Sequence, residues 1–105
     1  MAFGYDATFI CTVGVCQLVQ HEALDAATQG FVDALTEELG DAVTVDVQNA
    51  SGDSVNCGTI VNGFVSKGVD LIMANATPAL TAAVSATADI PILGTSITAY
   101  GVALD

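Results

Sequence analysis

The feature that most limits the fold is an alternation of two hydrophobic periods. Four short apolar runs, residues 8–16, 43–47, 69–74 and 90–94, are separated by three stretches with helical spacing. Runs of this length, rich in Val and Ile, read as strands, and the three stretches between them read as amphipathic helices. Strands that alternate with helices through short connections pair in parallel, because each helix carries the chain back across a face of the sheet. The expectation is one α/β domain over residues 1–105, a three-layer αβα sandwich with four parallel strands in the order 2-1-3-4 and three flanking helices.

The helices carry their own punctuation. Over residues 23–39, Leu24, Ala27, Phe31, Leu35 and Leu39 recur at three- or four-residue steps, while Asp25, Asp33, Glu37 and Glu38 lie off that stripe. Glu22 and Asp25 suit the positive end of its dipole, and Gly40 offers a stop. Asp53 or Ser54 is placed to cap a second helix with Cys57, Ile60, Val61, Phe64 and Val65 on one face, ending at Gly68. Gly58 and Gly63 lie inside it, each costing about 0.5–1 kcal/mol relative to Ala, so packing must hold this helix. In Asn75-Ala76-Thr77-Pro78-Ala79-Leu80 the third strand feeds the third helix, with Thr77 predicted as N-cap and Pro78 as its first residue. Pro91 lacks a ladder donor, which places the fourth strand at an edge or Pro91 among its first residues.

Charge narrows the function. Twelve acidic residues against one basic residue, Lys67, give a formal charge of −11. Nucleic acid and anionic lipid are excluded as partners, since both need clustered Lys and Arg. An anion would have to be held by backbone amides, hydroxyls or His21. No apolar run approaches the roughly 18 residues of a membrane-spanning helix. The first residues lack a basic segment, so no secretory signal is visible. Cys11, Cys16 and Cys57 are odd in number and have no CxxC spacing, which disfavours zinc and a disulfide framework. No metal and no cofactor are expected.

In a parallel sheet, ligands lie beyond the carboxyl ends of the strands. That edge gathers residues 17–21, Asn49, residues 75–79 and residues 96–98. The turn before the third helix offers backbone N–H groups, a helix dipole and the Thr77 hydroxyl to a small anion such as a carboxylate. The same residues also describe an ordinary capped helix. His21, the one imidazole, reads as a catalyst or as a cap at a helix start. Cys16 ends the first strand, where a phosphocysteine would sit, but no phosphate-stabilising loop follows. The acidic pair of a receiver domain and the glycines of a dinucleotide fingerprint are both missing.

Four segments together resemble one family. Val13-Gly14-Val15-Cys16-Gln17-Leu18-Val19-Gln20-His21-Glu22-Ala23-Leu24-Asp25 is similar to the opening of ABC-transporter substrate-binding proteins of the tryptophan/tyrosine-uptake type, which carry His-Pro-Ala-Leu-Asp where this chain has His21-Glu22-Ala23-Leu24-Asp25. The segments Val47-Gln48-Asn49-Ala50-Ser51-Gly52-Asp53, Asp70-Leu71-Ile72-Met73-Ala74-Asn75-Ala76-Thr77-Pro78-Ala79 and Asp89-Ile90-Pro91-Ile92-Leu93 with Thr95-Ser96-Ile97-Thr98 continue it in register. The resemblance implies a flavodoxin-like lobe, the N-terminal half of a type I periplasmic binding protein. It also implies that Gln17, His21, Thr77, Ala79, Ser96 and Thr98 face a ligand cleft.

By the same resemblance the function is extracytoplasmic binding of an amino-acid-like solute for delivery to a membrane permease, and not catalysis. The alternatives are a small phosphotransfer or enzyme domain using Cys16, or a truncated fragment without independent function. The fourth strand, residues 90–94, has little charge to block edge pairing, so a homo-oligomer through that edge is expected.

Overall fold

Near-continuous apolar residues make Cys11–Gln17 the central strand, β1. The structure, a computed structural model, describes residues 11–95, so the predicted start of this strand at residues 8–10 lies outside the described residues. After β1 the chain forms α1 (Glu22–Leu39), a single 3₁₀ turn at Gly40–Ala42, β2 (Val43–Asn49) and α2 (Ser54–Lys67). It continues through β3 (Leu71–Asn75), α3 (Thr77–Ala86) and β4 (Ile92–Thr95). All pairings are parallel, as the alternation predicted, and the order is β2-β1-β3-β4, matching the expected 2-1-3-4. β4 is the end strand among the described residues, and Pro91 lies just before it.

The helix signals hold at most ends. The Asp53 carboxylate caps α2 by accepting from the Val55 N–H, and Gly68 stops it with φ 75°, a left-handed conformation that costs glycine little. Gly40 ends α1, its N–H donating to the Thr36 carbonyl. The start of α3 differs. Its N-cap is Ala76, with φ 99° and no side-chain cap, and Thr77 is already the first helical residue. The Ala76 N–H donates to the Thr95 carbonyl at 2.9 Å, which holds the chain to the sheet up to that residue. One residue then remains to turn into the helix, so the reversal falls on Ala76 and not on Thr77.

Side chains alternate across the sheet and divide the core in two. On one face Cys16, Ile72 and Ala74 pack with Cys57, Val61 and Phe64 of α2 and Leu80 and Ala83 of α3. On the other face Val13, Val15 and Met73 meet Phe31 and Leu35 of α1. One described helix covers the second face where two cover the first. The stripe of α1 is accordingly half-buried, and the one buried residue of the helix is Thr28.

Candidate functional site

The α1 face changes character along the strands. Val13, Val45 and Leu71 form one apolar row in register, and Val15, Val47 and Met73 the next. The row after that, at the carboxyl edge, is Asn49, Gln17, Asn75 and Thr95, one residue from each strand. Four polar side chains thus stand side by side beneath the first turns of α1. The main chain holds this edge together beyond the strands. Leu18 N–H donates to the Asn75 carbonyl at 3.2 Å, Ala50 N–H to the Gln17 carbonyl at 2.9 Å, and Gly52 N–H to the Leu18 carbonyl at 2.8 Å.

The buried members of the row form a directed relay with α1. Asn75 Nδ2 donates to Thr28 Oγ1 at 2.7 Å, and the Thr28 hydroxyl donates to Gln17 Oε1 at 2.6 Å. Gln17 Nε2 then donates to Asp25 Oδ1 at 2.6 Å and to the Val19 carbonyl at 2.9 Å. A further bond from Asn75 Nδ2 reaches the Leu24 carbonyl at 2.8 Å. Every dipole points the same way, so each bond strengthens the next and the chain ends on a carboxylate. At the other end Asn75 Oδ1, wholly buried, has no partner among the described residues.

The predicted site residues take distinct places. Gln17 is 4% exposed and has its amide engaged in the relay. His21 caps α1, its Nδ1 accepting from the Ala23 N–H at 3.1 Å, so the ring does at least the ordinary work of a helix start. Thr77 is half-buried at the start of α3, and neither its N–H nor its hydroxyl has a partner among the described bonds. The Ala79 N–H, expected to be free for an anion, instead donates to the Ala76 carbonyl at 3.1 Å. Pro78 has no N–H. The turn therefore presents one backbone donor, one hydroxyl and the helix dipole. Ser96 and Thr98 lie outside the described residues.

Asp25, Thr28 and Asn75 were not singled out as a network by sequence. The available signals were a threonine beside the apolar stripe of a helix and an asparagine ending an otherwise apolar strand.

Beside the relay, between α1 and β2, lies an open cavity of about 330 Å³ lined by Gln17, Gln20, Asp25, Thr28, Gln29, Val47 and Asn49. Cys16 lies on the opposite face, wholly buried against Cys57. Burial, and then the neighbouring Cys57, push its thiol up to about 12. A thiol so placed is neutral and inaccessible, the reverse of an activated nucleophile. Among the described residues no group of three His, Cys, Asp or Glu side chains is gathered as for a metal ion.

A parallel α/β sheet whose carboxyl edge turns polar has the form of a ligand-binding domain of the open-sheet class. The chain belongs to the ABC transporter substrate binding protein family, whose model matches residues 12–103. It is 44% identical over 89 residues to a tyrosine-binding protein of Clostridioides difficile (strain R20291), an alignment covering 82% of this chain and 26% of that protein. A ligand-free, open substrate-binding protein with adhesive properties from Clostridium difficile superposes with a TM-score of 0.85 at 41% identity, over 90% of this chain and 33% of that one. An ABC domain from Streptococcus pneumoniae in complex with L-Trp gives a TM-score of 0.79 at 38% identity, over 85% of this chain and 31% of that one. The chain thus corresponds to one lobe of such proteins and spans about a quarter to a third of their length.

Proposed function

We propose that this chain serves as one wall of a solute-binding cleft, in a protein that works outside the cytoplasm and hands an amino-acid-like solute to a membrane permease. The observation that carries this reading is the polar row at the carboxyl edge, Asn49-Gln17-Asn75-Thr95, in a lobe whose relatives bind tyrosine and tryptophan. The solute's carboxylate lies at the start of α3, against the Thr77 N–H and hydroxyl. His21 borders it from the start of α1, and Ser96 and Thr98 join the site on the family resemblance. Gln17 and Ala79 act one step back, Gln17 through the relay and Ala79 by closing the turn that presents Thr77. Binding and release are the whole activity on this reading, and no residue acts as a catalyst.

Two-lobed binders enclose most of a ligand's surface, whereas one wall leaves much of it in water. L-tryptophan is therefore expected to bind this chain with a millimolar dissociation constant, about −4 kcal/mol. The check is an amide-resonance titration with L-tryptophan. Shifts centred on residues 76–80 are expected, and Thr77→Ala should weaken binding about fivefold, one hydrogen bond's worth. A titration that leaves residues 76–80 unmoved would return that turn to a purely structural role. Mass spectrometry after incubation with a phosphodonor tests the rival use of Cys16, and a phosphorylated Cys16 would overturn the binding reading.

Self-association through β4 belongs to the same proposal. β4 is the end strand among the described residues, and Leu93 on it is 46% exposed.

A further inference from the structure

The cavity between α1 and β2 sets one carboxylate among amide side chains, and no basic side chain lines it. One oxygen of Asp25 accepts from Gln17, and its second oxygen makes no bond among the described residues. The Gln29 amide nitrogen is occupied by Asp33 at 2.8 Å, which leaves its oxygen free. The Asn49 oxygen accepts from the Ser51 N–H at 2.8 Å and has a second lone pair. Lys67, the sole basic side chain, is held at 3.0 Å by Asp46, a residue one step out of phase with Val47 and so on the opposite face of the sheet. The cavity thus has a fixed negative charge, several carbonyl acceptors and no basic side chain of the protein's own.

We propose that this cavity is a binding site for a primary ammonium group borne by a small organic molecule. An anion would be repelled by the Asp25 carboxylate, which is exposed at the mouth of the cavity and paired with no cationic side chain among the described residues. A neutral solute gains nothing from that charge, whereas an ammonium brings three donors and a positive charge to it. The relay from Asn75 through Thr28 and Gln17 fixes one oxygen of Asp25, so the other is pre-aimed without a loss of side-chain freedom on binding. Val47, 46% exposed, gives the alkyl or aryl part of the molecule an apolar surface. A volume of about 330 Å³ admits a molecule of tyramine size, at the small end of ligand pockets. This site lies on the α1–β2 side and stands independently of the carboxylate position proposed at Thr77.

Two probes of matched shape separate the two sites. Tyramine carries only the ammonium, and 3-(4-hydroxyphenyl)propionate carries only the carboxylate. In amide-resonance titrations of the full chain, tyramine at ~10 mM or below is expected to shift Thr28, Gln29 and Asn49, and the acid is not. Asp25→Asn, which keeps an acceptor for Gln17, should weaken tyramine about fivefold or more. Glu37→Gln, on the same helix but away from the cavity, removes the same charge and should leave tyramine binding unchanged. That pair distinguishes a site from general attraction of a cation to a chain of charge −11. No tyramine shifts at the cavity, equal loss in the two variants, or equal shifts with the acid would each overturn the ammonium site. Failure of the acid to shift residues 76–80 would count against the Thr77 position alone.

Discussion

Thr28 shows how much one hydroxyl holds in place. It accepts from Asn75 and donates to Gln17, and all three side chains are buried. Thr28→Val keeps the shape but leaves a buried amide N–H and a buried carbonyl oxygen unpaired. The expected loss is about 2 kcal/mol in urea unfolding, a result that Thr28→Ser should largely avoid. A second residue-level prediction follows from Cys16. Burial favours its neutral thiol, so its pKa is raised from 9.0 to about 12 in the folded chain. The unfolded chain releases that proton near pH 9 and the folded chain does not. The stabilisation is therefore complete below about pH 9 and is lost as pH rises towards 12. Stability measured across that window should fall less steeply in Cys16→Ala than in the parent chain.

At the scale of elements, the start of α3 carries the strain. Ala76 has φ 99° and ψ 156°, a region that essentially only glycine occupies without cost. Ala76→Gly should raise stability by about 1 kcal/mol, the strain relieved outweighing the added freedom of the unfolded chain. Ala76→Val should lower it, and an unfolding midpoint for each variant decides the matter. The close approach of α2 to β1 is a different constraint. A Cβ on Gly14 would lie 2.6 Å from the ring of Phe64, itself 2% exposed, so the ring has nowhere to retreat. That glycine is what lets α2, weakened by two glycines of its own, pack closely enough to be held.

For the molecule as a whole, self-association sets two forces against each other. Among the described residues β4 is the end strand and has a half-exposed Leu93, while each chain carries a charge of −11. At physiological salt the screening length is about 8 Å, so only charges near the contact oppose pairing strongly. Five of the twelve acidic residues, Glu22, Asp25, Asp33, Glu37 and Glu38, lie on α1, and β4 itself has none. A dimer that tightens with added salt is the expected outcome of light scattering at tens of micromolar. A monomer at every salt concentration would remove the β4 edge from the proposal.

The sequence by itself determined the layers of this protein and the order of their elements. Hydrophobic period is local, and a switch between periods 2 and 3.6 marks strand from helix whatever the surroundings. Parallel pairing then follows from the short connections, and the family from four motifs in register. Two caps were legible as choices, Asp53 or Ser54 for α2 and a cap or a catalyst for His21, and the structure selects Asp53 and puts His21 at the start of α1. Only the tertiary structure decided the site. The alternation already brings Gln17, Asn49 and Asn75 to one edge, but only the strand pairing puts them in a single row with Thr95. Thr28 joins them because α1 lies across that row, and a threonine beside an apolar stripe reads equally well as solvent-facing. The start of α3 moved from Thr77 to Ala76 for a similar reason. Local propensity favours threonine at a cap, but the hydrogen bond from Ala76 to β4 fixes where the strand lets go. Pairings between distant segments have no local signature, and in this chain the relay, the cavity and the strained turn all rest on such pairings.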